Sequence, residues 1–166
     1  MHLETDLLKI KQFAAKRENE NFRFRAFLKG KDGDKTDEIV HQLHKEITLQ
    51  IDCTLCGNCC NCMKPEVYEE DLNRLSLLEN ISSEKYFADF CEKDYGDIYL
   101  KIIPCRYLDG KKCSIYESRP TQCRNFPYTD EDGFISRLYG MISFYEICPI
   151  VFNLMERLKE IMRFRR

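Results

Sequence analysis

A chain of 166 residues, 43% of them apolar and 33% charged, is long enough to bury a hydrophobic core and has globular composition. No apolar run reaches the length needed to cross a bilayer. The opening Met1-His2-Leu3-Glu4-Thr5-Asp6 lacks the basic flank and apolar stretch of a secretion signal, so a cytoplasmic protein is expected. A formal charge of −2 and a sequence pI near 6.0 supply no general attraction to nucleic acid or anionic lipid.

Ten cysteines set the chain apart. Reducing cytosol disfavours disulfides, which leaves this many thiols to metal or to catalysis. The expected fold class is α+β and mainly helical, with a small β-hairpin and cysteine-rich loops around a metal site, flanked by N- and C-terminal helices. The expected organisation is one domain over 1–166, with 1–50 as helical scaffold and 51–166 as the metal-binding region.

Leu3, Leu7, Ile10 and Phe13 recur at helical spacing. Asn19-Glu20-Asn21 reads as a break before Phe24, Phe27 and Leu28 resume the pattern, and Gly30 as a stop. Thr36 then caps a helix carrying Ile39, Val40, Leu43 and Ile47 on one side. His41 and His44 lie on this helix beside a sufficient apolar stripe and are read as boundary residues rather than ligands. Phe22-Arg23-Phe24-Arg25 alternates aromatic and basic residues as some single-strand nucleic-acid surfaces do. Without a broad basic face, a helix edge that packs its phenylalanines is the better reading, and no nucleic-acid partner is expected.

The run Cys53-Thr54-Leu55-Cys56-Gly57-Asn58-Cys59-Cys60 carries the main chemical signal. Two intervening residues let a looped backbone aim successive thiolates at one centre, and Gly57 supplies the positive φ that such wrapping demands. Cys53, Cys56 and Cys59 are therefore expected to converge. Adjacent residues diverge in direction, so Cys60 is read as reaching a second centre. Cys62 stands outside the regular spacing and is left open.

Pro65 is expected to start a helix with Val67, Leu72, Leu75 and Leu78 inward, ending near Asn80. Ser82 or Ser83 caps the next, on whose apolar side Phe87, Phe90 and Cys91 fall, making Cys91 a core residue rather than a ligand. Ile98 to Ile103 reads as a strand. Asp109-Gly110 suits a tight turn, and pairing across it would bring Cys105 and Cys113 together. Pro120 starts a short helix holding Cys123, and Pro127 stops it. Cys148-Pro149 precedes a helix with Ile150, Val151, Leu154, Leu158, Ile161 and Met162 on one face. That position puts Cys148 near exposed amides and the positive end of a helix dipole, both of which favour a thiolate. A compact triple plus a remote Cys-Pro is also the arrangement of ferredoxin ligand runs, so Cys53, Cys56, Cys59 and Cys148 are the expected cluster ligands.

These motifs resemble the YkgJ-type cysteine-cluster family, whose zinc- or iron-chelating domain carries the signature Cys-x-x-Cys-x-x-Cys-Cys. The resemblance runs through Pro104-Cys105, Cys113-Ser114-Ile115-Tyr116, Arg119-Pro120, Cys123-Arg124, Phe126-Pro127 and Cys148-Pro149. It implies eight metal-binding cysteines: Cys53, Cys56, Cys59, Cys60, Cys105, Cys113, Cys123 and Cys148. Cys62 and Cys91 fall outside the pattern.

Eight thiolates complete two four-cysteine sites, or serve one cluster while the rest bind separately. The expected cofactor is an iron-sulfur cluster, most simply 4Fe-4S, with zinc as the alternative. The first functional class is therefore a redox or sensing protein, with a protein redox or metal-transfer partner. The second is a structural zinc-binding or metal-delivery module and the third a metal-dependent enzyme. Some flagellin lysine methylases carry a related cysteine cluster, but this chain has no glycine-rich nucleotide loop and no nucleophile-histidine-carboxylate set in its cysteine-rich half. Arg106 and Arg124, which follow proposed ligands, are candidate donors to sulfur, and Arg119 a loop anchor.

Overall fold

A computed structural model describes residues 3–165. In chain order the elements are α1 (Leu7–Leu28), α2 (Gly33–Thr48), α3 (Asn58–Cys62), α4 (Glu69–Leu78), α5 (Ser83–Phe90), β1 (Cys91–Asp94), β2 (Asp97–Leu100), β3 (Leu108–Asp109), β4 (Lys112–Cys113), α6 (Thr121–Asn125), α7 (Phe134–Tyr145) and α8 (Pro149–Ile161). The fold is mainly helical α+β, its strands forming two antiparallel pairs, β1 with β2 and β3 with β4. Among the described residues no helix is long and apolar enough to cross a membrane. The chain forms two compact units: residues up to Asp52 with those from Pro127 onward, and Cys53–Phe126.

The first unit packs α1, α2, α7 and α8. Asp6 caps α1 by accepting from the amides of Leu8 and Lys9 at 2.9 and 3.2 Å. The expected break at Asn19-Glu20-Asn21 is overturned, for α1 runs through it. The physical reason lies far away in sequence. Lys159 is 1% exposed, and its ammonium donates to Asn21 at 2.6 Å, Glu20 at 2.8 Å and Glu156 at 2.7 Å. A buried charge persists only where it is paired, so polar residues that read as an interruption are an inward-facing lining. Glu156 also accepts from Tyr145 at 2.8 Å and pairs with Arg17. Burial opposes its ionisation, but Lys159, Tyr145 and Arg17 together hold its carboxyl below the ordinary range. Phe24 is buried against Phe27 and Phe164, so the Phe22–Arg25 segment packs its central aromatic into the core.

Asp32, rather than Thr36, caps α2, accepting from the Lys35 amide at 3.1 Å. Thr36 is buried inside the helix and returns its hydroxyl to the Asp32 carbonyl. Val40, Leu43 and Ile47 are buried as their spacing predicts. Helix α7 was not anticipated, although Phe134, Leu138, Met141 and Tyr145 mark its buried face at helical intervals. Its start is fixed by the Asp37 carboxylate, which accepts from the amides of Gly133 and Phe134 at 2.6 and 2.9 Å. Pro149 opens α8, which buries Ile150, Val151, Leu154 and Leu158; Ile161, expected inward, is exposed.

In the second unit the helix expected from Pro65 begins only at Glu69. The Pro65 carbonyl accepts from Leu100 and the Val67 amide donates to Ile98, so 65–67 runs as extended chain beside β2. The strand expected over Ile98–Ile103 is Asp97–Leu100, and its partner β1 begins at Cys91, pairing Cys91 with Leu100 and Asp94 with Asp97. Val67, Leu75, Tyr86, Cys91, Leu100 and Tyr107 form the buried core of this unit.

Candidate metal centre

The cysteine run opens with a 3-10 turn, Cys53–Leu55, and continues through Gly57 into α3. Gly57 has φ +64°, a conformation that costs other residues about 1–2 kcal/mol. A Cβ there would also lie 2.6 Å from the Lys111 carbonyl oxygen. Glycine is thus required twice, once for the turn and once for the close approach of this loop to the β3–β4 hairpin. The approach continues at Cys60, whose carbonyl accepts from the Cys105 amide at 2.7 Å.

The hairpin forms where Asp109-Gly110 predicted a turn, pairing Leu108 with Cys113 and Asp109 with Lys112. Its two cysteines share one local device. The Tyr107 amide donates to the Cys105 sulfur, and the Ile115 amide to the Cys113 sulfur. An amide aimed at sulfur from two residues on stabilises a thiolate without adding a competing ligand. Cys123 is delivered by α6. The fully buried Asp71 carboxylate of α4 anchors that helix by accepting from the Thr121 amide at 3.1 Å and the Thr121 hydroxyl at 2.9 Å. Arg74, paired with Asp71, donates to the carbonyls of Ser118 and Arg119, and so fixes the approach to Cys123.

Cys53, Cys59, Cys60, Cys105, Cys113 and Cys123 line one cavity of about 230 Å³, together with Met63, Tyr107, Tyr116, Arg119, Gln122 and Phe126 among others. No carboxylate lines it. Its thiols resist ionisation. A hydrogen bond with Cys59, then burial, raises Cys60 far above the ordinary range. Burial first, and the charges of Cys60, Cys105 and Cys113 next, push Cys123 up to about 12. Burial also raises Cys105 and Cys113, and each lies in the field of Cys60. Arg119 opposes the rise at Cys113 and Cys123. Its guanidinium stacks 3.7 Å above the Tyr116 ring and donates to the Tyr116 carbonyl.

The other sequence candidates fall elsewhere. Cys56 is outside the cavity wall. Cys148 is buried at the cap of α8 and belongs to the first unit. Cys62 is exposed on α3 and donates to the Asn58 carbonyl. Cys91 is in the apolar core, where burial raises its thiol to about 11. His41 and His44 are in the first unit, His44 against the Thr129 hydroxyl at 2.7 Å. Arg106 pairs with Glu79 at 3.2 Å and stacks on Phe90, while Arg124 donates to the carbonyls of Arg119 and Glu117. Arg119, read as an anchor, is thus the cation among these thiols. The Asp71–Arg74 clamp was missed; the sole sequence signal for it is an acidic residue at the third position of α4.

The donor set fits a thiophilic metal: six cysteines and no hard oxygen ligand face one cavity, two of them with amides directed at sulfur. The sulfurs would have to close further, since among the described residues no three His, Cys, Asp or Glu side chains already stand close enough to hold an ion.

A domain built to present thiols is what this unit defines. Asp52 to Cys148, more than half of the chain, matches the CxxCxxCC family model, described as "Putative zinc- or iron-chelating domain". The protein belongs to this family. No curated protein and no solved structure matches the chain.

Proposed function

We propose that the protein is a cytoplasmic iron-sulfur protein with a redox or sensing role, its cluster most simply 4Fe-4S, working with a protein redox partner. The proposed ligands are Cys53, Cys56, Cys59, Cys60, Cys105, Cys113, Cys123 and Cys148. Inclusion of Cys148 rests on the family match, which ends on that residue, and on its place at a helix cap. The observation that carries iron-sulfur over a single ion is the cavity: about 230 Å³ exceeds what one ion with sulfurs at about 2.3 Å requires. Such a cluster supplies one-electron transfer when bound. The chain's part is to exclude water, to direct the Tyr107 and Ile115 amides at sulfur and to place the Arg119 charge among the thiolates.

A structural zinc or metal-delivery module is the second reading. The paired sulfur-facing turns at Cys105 and Cys113 favour it, because they would hold a redox-inert tetrathiolate ion equally well. Anaerobic purification followed by metal and acid-labile sulfide analysis, with absorption and paramagnetic spectra, decides between them. Iron with sulfide and an absorption that bleaches reversibly on reduction supports the first. Zinc without sulfide replaces it with the second, and no tightly bound metal removes both.

A further inference from the structure

Resting on the metal-binding reading, we propose that Cys60, Cys105, Cys113 and Cys123 make one complete four-thiolate centre, to which Cys53 and Cys56 do not belong. Sequence spacing points the other way, toward the compact triple Cys53, Cys56 and Cys59. Geometry regroups them. Cys60 and Cys105 are tied by a 2.7 Å backbone hydrogen bond. Cys105 and Cys113 come from the two sides of one hairpin, each with an amide two residues on facing its sulfur. Cys123 enters the same cavity from α6, and the thiols acting on it are those of Cys60, Cys105 and Cys113.

Four separate segments thus contribute one sulfur each, the number a tetrahedral site takes. The hydrogen bond from Cys60 makes Cys59 the outer neighbour of the centre. Cys53 sits on an exposed turn and Cys56 lies outside the wall, which assigns both to a different ligand set.

Cobalt(II) titration of the demetallated full chain, without oxygen, tests the partition through thiolate-to-cobalt absorption and the number of ions bound. Cys60→Ser, Cys105→Ser, Cys113→Ser and Cys123→Ser are each expected to lose the same one equivalent. The Cys105→Ser/Cys123→Ser double variant should lose no more than either single variant. Cys53→Ser and Cys56→Ser should keep that equivalent and its tetrathiolate spectrum. Loss of it in Cys53→Ser or Cys56→Ser overturns the assignment, as does additive loss of separate equivalents in the double variant. If a serine variant of the four fails to fold, as read by circular dichroism, Cys53→Ser and Cys56→Ser decide alone by keeping or losing the spectrum. A wild-type chain that binds no cobalt and retains no metal on purification overturns the metal-binding reading itself. One that binds cobalt with the wrong ligand dependence overturns this partition only.

Discussion

Gly57 and Gly110 have nearly the same backbone conformation, φ +64° and +61°, and differ in their neighbours. A Cβ at Gly110 meets nothing within 4 Å, whereas at Gly57 it meets the Lys111 carbonyl. Alanine at Gly110 should therefore cost only the conformational penalty, about 1–2 kcal/mol, and leave metal content intact. Gly57→Ala should cost more and lower metal content, because the Cys53–Cys60 loop could no longer reach the hairpin. Thermal unfolding and metal analysis of the two variants check this, and equal behaviour would remove the proposed role of close approach. Gly57 was legible in sequence as a turn residue. Its contact with Lys111 was not, since nothing local to either residue records the other.

The cavity thiols also set a pH dependence. In the folded, metal-free chain the Cys123 thiol lies at about 12 against an ordinary 9.0, and Cys105 and Cys113 are raised in the same sense. The fold thus favours the neutral thiols. Their contribution is fully present below pH about 9 and is lost as pH climbs toward about 12, where the unfolded chain ionises first. Melting temperature of the metal-free protein should fall across that window. The metal-loaded protein should show a shallower fall, because its thiols are already deprotonated, and should instead lose metal on acidification. Parallel melting curves at alkaline pH, with and without metal, and an acid titration of bound metal measure both.

At the scale of elements, α6 is too short to hold itself, and the Asp71–Arg74 pair does so from α4. Asp71→Ala would leave the Thr121 amide and hydroxyl and the Arg74 guanidinium short of their acceptor, at a cost of about 3 kcal/mol. Metal should be released faster to a chelator, and this effect should vanish in a Cys123→Ser background if Asp71 acts by positioning that cysteine. Chelator-release kinetics in the two backgrounds make the test. Elements with a local signature were readable: the apolar stripe of α2, the Ser82 cap, the Asp109-Gly110 hairpin, and Pro120 and Pro149 at helix starts. What failed depended on remote partners. Asn21 looks like a breaker until Lys159 is placed beside it, and Pro65 looks like a helix start until Leu100 claims its carbonyl. Helix α7 is a different case, its apolar spacing being visible in the sequence all along.

For the whole molecule, the two units rest on different supports. The helical unit has a long list of buried apolar side chains, from Ile10 and Phe24 to Leu154 and Leu158. Residues 53–126 bury six side chains in their core, and the segments carrying Cys60, Cys105, Cys113 and Cys123 are short. Strong chelation or cluster destruction should therefore open the second unit first, with proteolytic cuts appearing inside 53–126 while most helical circular dichroism persists. Unchanged proteolysis after complete metal removal would show that the fold does not depend on the centre.

The helical unit is discontinuous in the chain, and this orders its birth. On the ribosome, α1 and α2 emerge first, but the helices they pack against, α7 and α8, are synthesised only after Phe126. The intervening cysteine segment is complete earlier. A nascent chain stalled just past Phe126 would therefore present all the thiols of that segment while the buried faces of α1 and α2 still await their cover, so metal capture can precede closure of the helical core.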